Sequence, residues 1–361
     1  FIANLPKFME AAEAEASHVL LKLGSIDVAP ESYVSVKPEK LFGRHCAILG
    51  ATGGGKSWTT ARIIEECLRY KTKIILLDAT GEYRGFDGEH VSNLHLGAPV
   101  STAKSSASCS LPHTSFMESD FIALFEPAGK VQGPKLRAAI RSLRLATLAP
   151  HVATGGIIKK IDQSKVPILT EEAKAGIAEK LDDPQQAFDV WKLVSQIEQE
   201  CVYPDGFGVA RGSKDTTKWG GDSGEVSYCL SLMSRISGIL SSSSFDCVFK
   251  SKAPALTESI SSFVSNEDRL LRICLSGVAF EFKAREIIAN VIGRHLLNMA
   301  RDGAFKSCPV VVIVDEAHNF LGRHIGADDA VARLDAFELI AKEGRKYGLN
   351  ICLSTQRPRD I

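Results

Sequence analysis

Gly50-Ala-Thr-Gly-Gly-Gly-Lys-Ser57 constrains this chain more than any other stretch. It satisfies the phosphate-binding pattern G-x-x-x-x-G-K-[ST] at every fixed position. A short apolar run, His45-Cys-Ala-Ile-Leu49, precedes it, and a helical pattern opens at Trp58. Strand, loop and helix in that order are the context the motif requires. Gly50, Gly53, Gly54 and Gly55 let successive backbone N–H groups turn inward around phosphate oxygens. The helix that follows presents its positive end to the same anion. On this reading Gly50, Thr52, Gly53, Gly54, Gly55, Lys56, Ser57 and Trp58 bind a nucleotide. Lys56 reaches the β- and γ-phosphates, and the Ser57 hydroxyl ligates Mg²⁺.

A second motif gives that cradle a reaction. Pro309-Val-Val-Val-Ile-Val-Asp315 is the strongest strand signal in the chain, β-branched and apolar up to its acidic end. Asp315 is expected to hold the Mg²⁺ shell that Ser57 completes. Glu316 is expected to orient and deprotonate the attacking water. The two motifs together imply ATP hydrolysis with Mg²⁺. Asp315-Glu-Ala-His318 spells the DEAH box of one helicase class, but it lies much farther from Lys56 than in those enzymes. His318 therefore reads as a loop or packing residue.

Between and around these motifs the pattern alternates. Trp58 to Tyr70 places Ala61, Ile64 and Leu68 on one helical face. Lys73-Ile-Ile-Leu-Leu-Asp78 reads as a strand buried on both faces, and Val91 to Leu96 as a weaker one. From residue 115 to residue 245 the period is helical: Leu136, Ala139, Ile140 and Leu143 share a face, with Arg137, Arg141 and Arg144 on another. Asp183-Pro184 reads as the start of a helix that buries Phe188, Trp191, Val194 and Ile197. A later helix carries Tyr228, Leu232, Met233, Ile236 and Ile239. Strands resume at Arg269 to Leu275, at Pro309 to Asp315 and at Asn350 to Thr355, separated by helices over Lys283 to Arg301 and around Phe337 to Lys346. Strands alternating with helices predict an α/β core with a mainly parallel sheet. Upstream, Tyr33-Val-Ser-Val-Lys-Pro38 alternates like the strand of a small β-domain.

Composition excludes several classes. Lys plus Arg equals Asp plus Glu at 43 each, so no global basic field announces nucleic acid. DNA contacts must come from local loops, or from a ring that concentrates them. No run of about 18 apolar residues exists, which argues against a membrane span. The nine cysteines contain no C-x-x-C pair and four lie in or beside apolar runs, as expected for free thiols in a reducing cytoplasm. The nine histidines lack H-E-x-x-H spacing, which argues against structural zinc. Phe1 is not Met, and the chain stops at Ile361 just past a strand-like run, so both ends read as cut.

Phe42-Gly-Arg-His45 ahead of GATGGGKS, then LLDATGEY, VVIVDEAHNF, AKEGRKYGLN and STQRP, resemble in order the motifs of the HerA branch of the HerA–FtsK ATPases. The likeness spans most of residues 18–361. It implies a RecA-like P-loop core in two parts, residues 44–114 and 246–361, interrupted by a helical insertion over 115–245. Residues 1–43 resemble the end of that family's N-terminal β-barrel domain. By the same resemblance Arg44 and Arg345 match arginines that assist hydrolysis, Arg345 being the one expected to reach a neighbouring subunit's γ-phosphate. Gln356 resembles the polar sensor after the last core strand. Asp78 and Glu82 match acidic positions placed behind the phosphate site or at a subunit interface.

The family implication is a homohexameric motor that translocates on, or unwinds, double-stranded DNA. It would work with a nuclease or Sir2-like effector, in antiphage defence or DNA processing, docked mainly through the N-terminal domain. Candidate DNA contacts are Gly322 to Ala327, Tyr83-Arg84, Lys214 with Lys218, and the Arg137, Arg141 and Arg144 face. Two alternatives stay open: a nucleotide-gated assembly scaffold for an effector, and a secretion or conjugation ATPase.

Overall fold

A computed structural model describes residues 19–99, 103–209, 212–321 and 334–358. An antiparallel pair, Leu21–Ile26 (β1) and Ala29–Val36 (β2), comes first. The P-loop strand Cys46–Leu49 (β3) then feeds the helix Lys56–Leu68 (α1). Next are Lys73–Asp78 (β4), Val91–Gly97 (β5) and the two-residue Ala107–Ser108 (β6). A helical stretch follows, including Gly129–Leu148 (α2), Leu193–Glu200 (α3) and Val226–Ser241 (α4). The sheet resumes with Leu270–Gly277 (β7), then Ala284–Arg301 (α5), Val310–Val314 (β8), Ala336–Glu343 (α6) and Leu349–Thr355 (β9).

Seven of these strands form one sheet in the order β3-β9-β8-β4-β7-β5-β6, every neighbouring pair parallel. The expected α/β class and parallel sheet are borne out. All residues of β4 and β8 are buried, so their continuous apolar runs reflect cover on both faces. One side is closed by α1 through Ile63, Ile64 and Cys67. The other is closed by α5 and the helical stretch, whose side chains share one core with Ile75, Leu77 and Val312. Register puts Val310 opposite both Leu349 and Lys73, and Thr355 opposite Leu49. Hence the carboxyl ends of β3, β9, β8 and β4 line up along one edge, where α/β sheets place ligand chemistry.

Three local expectations are corrected. The helix read from Asp183-Pro184 starts later: the Asp183 carboxylate accepts from the Gln185 N–H in a turn, and Asp189 accepts from the Trp191 N–H where the helical backbone begins. Phe188 and Ile197 are buried as expected, whereas Trp191 is exposed. On α4, Tyr228 likewise points outward while Leu232, Met233, Ile236 and Ile239 are buried. The basic face of α2 is not a free stripe. Arg137 pairs with Glu118, Arg141 with Asp182, and buried Arg144 donates to the Leu181 and Pro184 carbonyls. Arg144 is thus taken up by the fold, while Arg137 and Arg141 reach solvent within ion pairs. Among the described residues, no helix is long and apolar enough to cross a membrane.

Candidate nucleotide site

The P-loop geometry follows from its glycines. Gly53 and Gly55 have φ of +78° and +79°, a region L side chains rarely enter, and a Cβ on Gly54 would lie 2.9 Å from the Ala51 carbonyl oxygen. Gly55 is the residue from which α1 starts, so the helix N-terminus opens directly onto the loop.

Lys56, the first residue of α1, turns inward and is buried. Its Nζ lies 2.9 Å from Glu316 Oε1, 3.1 Å from Asp315 Oδ1 and 3.3 Å from Ser354 Oγ. Burial pulls its pKa down, but hydrogen bonds and charge from Glu316 and Asp315 outweigh that and hold it above the ordinary value. Ser354 Oγ also donates to Asp315 Oδ1 at 2.8 Å. The remaining Asp315 oxygen, Oδ2, is buried with no hydrogen-bond partner, an open acceptor of the kind a cation satisfies. A phosphate cradle and a free buried carboxylate oxygen beside it fit a nucleotide phosphate with a divalent cation.

Glu316 follows β8 in a left-handed conformation, φ 46° and ψ 47°. For a residue with a Cβ this is strained backbone, of the kind that collects at functional sites. The turn aims its carboxylate back at Lys56, while Oε2 faces His318 Nδ1 at 3.3 Å. His318 also meets Thr355 Oγ1 at 3.2 Å. Gln356 closes the cluster: Thr52 Oγ1 donates to its Oε1 at 2.6 Å, and its Nε2 donates to Glu316 Oε1 at 2.9 Å. One amide thus ties the P-loop to the acidic strand end.

Ser57 is not in contact with Asp315 here. Its hydroxyl donates to Glu82 Oε2 at 2.7 Å. The loop carrying Glu82 is anchored by Asp78, fully buried, which accepts from the N–H groups of Gly81 (2.8 Å) and Tyr83 (3.2 Å). Arg272, also fully buried, pairs with Asp78 at 2.7 Å and reaches Asn93 Oδ1 at 3.4 Å. Trp58 is 84% exposed, on the wall of an open groove of about 700 Å³ that also touches Ser57, Glu82, Arg84 and Phe86.

Arg44 and Arg345 lie elsewhere. Both are exposed, and both precede strands: Arg44 comes just before β3 and Arg345 just before β9. They therefore stand at the amino edge of the sheet. The seven residues of β9 put about 20 Å between Arg345 and Gln356. Proximity of the two amino ends is visible at His45, whose ring accepts from the Ile351 N–H at 3.2 Å. Its pKa is lowered first by burial and also by the Arg345 charge, against a backbone hydrogen bond that raises it.

Sequence reading missed Ser354 and Arg272. Each is a buried polar residue next to an apolar run of its strand, and that interruption was the available signal. Of the candidate DNA contacts, Gly322 to Ala327 lie outside the described residues. Tyr83 is buried, while Arg84, Lys214 and Lys218 are exposed.

Residues 21–193 match the family model described as the central domain of helicase HerA. That stretch is similar to a HerA central domain. This bears out the resemblance to the HerA branch. The DNA double-strand break repair helicase HerA of Saccharolobus solfataricus is 23% identical over 320 residues, which cover 89% of this chain and 52% of that protein. The probable helicase MJ1565 of Methanocaldococcus jannaschii is 38% identical over 64 residues, 18% of this chain and 12% of the relative. The chain thus spans about half the length of the HerA helicase it matches. Among solved structures, the conjugative coupling protein TrwB in complex with the non-hydrolysable ATP analogue ADPNP has a TM-score of 0.48 and 14% identity, over 93% of this chain and 68% of that one. Its unbound monoclinic form has a TM-score of 0.45 and 16% identity, over 93% and 66%. Within the matched residues fall the P-loop, Asp78 and Glu82; Asp315, Glu316, Arg345 and Gln356 lie beyond them.

Proposed function

We propose that the chain is the core of a homohexameric, Mg²⁺-dependent ATPase that translocates on or unwinds double-stranded DNA, and that each catalytic site is shared between subunits. The observation that carries this reading is the division of the candidate catalytic residues between the two edges of the sheet. Lys56, Asp315, Glu316 and Gln356 converge at the carboxyl edge, while Arg44 and Arg345 stand at the amino edge. An exposed arginine about 20 Å from its own phosphate cradle is out of reach of it, and in position to serve the next copy in a ring.

In the mechanism, the P-loop backbone and Lys56 bind the phosphates, Lys56 exchanging its two carboxylates for phosphate oxygens. Ser57 and Asp315 are the residues that would hold Mg²⁺, which when bound neutralises charge on the phosphate oxygens. Departure of Lys56 frees the Glu316 carboxylate to accept a proton from the attacking water. Gln356, bridging Thr52 and Glu316, holds that carboxylate against the P-loop. Arg345 of the adjoining copy stabilises charge that develops in the transition state, so turnover requires assembly.

The reading extends to DNA and to an effector. The double-strand break repair helicase among the relatives supports double-stranded DNA as substrate. A nuclease or Sir2-like effector, in antiphage defence or DNA processing within the cytoplasm, follows from the family resemblance. The antiparallel pair offers a route from an N-terminal docking surface to the P-loop helix. The Lys22 N–H donates to buried Glu66 on α1 at 2.9 Å, and Arg62 Nε donates back to the Lys22 carbonyl at 3.0 Å.

The test is ATP turnover with and without duplex DNA, together with displacement of a protein roadblock from that DNA. DNA-stimulated turnover with directional displacement is the expected result. Turnover indifferent to DNA would replace the motor with the nucleotide-gated scaffold.

A further inference from the structure

We propose that Glu82 is a positioning residue for the metal site: it accepts the Ser57 hydroxyl proton in a hydrogen bond and so turns the oxygen lone pairs toward the divalent cation. The inference rests on the ATPase reading above and deepens it. A serine hydroxyl has one O–H donor and two acceptor lone pairs. Free in solution the group rotates, and it ligates a cation only in orientations that point the proton away. Here the proton is committed, because Ser57 Oγ donates to Glu82 Oε2 at 2.7 Å. A carboxylate acceptor behind a ligating oxygen also raises that oxygen's basicity, which strengthens its bond to a hard cation.

The loop is built to hold this arrangement. Glu82 lies between Gly81 and Tyr83, and the N–H groups of both neighbours are bound by the one buried carboxylate of Asp78. Gly81 takes φ of +83°, which allows the sharp turn between the strand end and Glu82. Asp78 is held in turn by the fully buried Arg272 on β7. A chain of four groups, Arg272, Asp78, the loop backbone and Glu82, therefore fixes the Ser57 hydroxyl. Glu82 itself is exposed, so its replacement removes the acceptor without opening the core.

The test uses the full chain and a fluorescent ADP analogue, with binding followed first in EDTA and then through a Mg²⁺ titration. In Glu82→Ala the affinity in EDTA stays at the wild-type level, while the Mg²⁺ midpoint rises about 10- to 100-fold, the usual effect of removing a group that orients a metal ligand. On a Ser57→Ala background the same substitution causes no further shift, since the hydroxyl it acts through is gone. Wild-type Mg²⁺ dependence with an unshifted midpoint in Glu82→Ala would overturn the Glu82 role alone. Equal loss of binding in EDTA would also overturn it, placing Glu82 on the nucleotide rather than the metal. No binding by the wild-type chain under either condition would overturn the ATPase reading itself, and the Glu82 role with it.

Discussion

Lys56 Nζ lies 2.9 Å from Glu316 Oε1, an ion pair between the P-loop lysine and the acidic residue that follows β8. The pair is buried, with 4% and 8% of the two side chains exposed, so it is screened little by solvent. In the proposed mechanism it holds Glu316 paired until a phosphate draws the ammonium away.

Glu316→Gln keeps the shape and loses the charge. Binding of a fluorescent nucleotide is expected to persist, while turnover falls about 10²- to 10⁴-fold, the range for a general base. A turnover assay beside a binding titration checks this. Parallel loss of both would assign Glu316 to binding.

Arg272 is fully buried and holds the Asp78 carboxylate that shapes the loop after β4. Arg272→Met leaves that carboxylate buried without its cation and is expected to cost about 3–5 kcal/mol of stability. Urea unfolding measures it. A smaller loss in the double variant with Asp78→Asn, which removes the stranded charge, would attribute the cost to that charge.

Gln356 joins Thr52 to Glu316 through two hydrogen bonds. Gln356→Ala is expected to lower kcat/KM, and Thr52→Val to add little on that background. The double-mutant cycle then gives a coupling of about 0.5–3 kcal/mol. Additive losses would separate the two contacts.

Gly277 ends β7 where the backbone of Ala98 crosses it. A Cβ there would sit 1.9 Å from the Ala98 carbonyl oxygen, and Gly97 opposite has φ of +76°. Gly277→Ala is expected to lower stability by about 1–3 kcal/mol, the cost of forced overpacking. Thermal unfolding followed by circular dichroism reads it directly.

Much of this was legible in the chain. The runs Ile74 to Leu77 and Val310 to Val314 could only be strands buried on both faces. The P-loop and Asp315-Glu316 stood out through residue type and context, and the structure brings them together. What stayed hidden depends on register. Thr52 and Gln356 are 304 positions apart, and nothing local pairs them until β3 adds to β9. The common edge of Arg44 and Arg345 is a consequence of that same strand pairing. Asp183-Pro184 misplaced a helix start because Asp189 offers an equally good cap six residues later, and tertiary packing of Phe188 and Leu193 decides between them.

The shared site is the central claim, and subunit mixing tests it most directly. Glu316→Gln subunits retain Arg345, and Arg345→Ala subunits retain Glu316, so each is inactive alone if the two residues act across an interface. Mixed in equal amounts under conditions where each variant forms rings, they are predicted to recover about a quarter of wild-type turnover, the share of interfaces that unite both intact residues. Mixed rings with no recovered turnover would contradict the account.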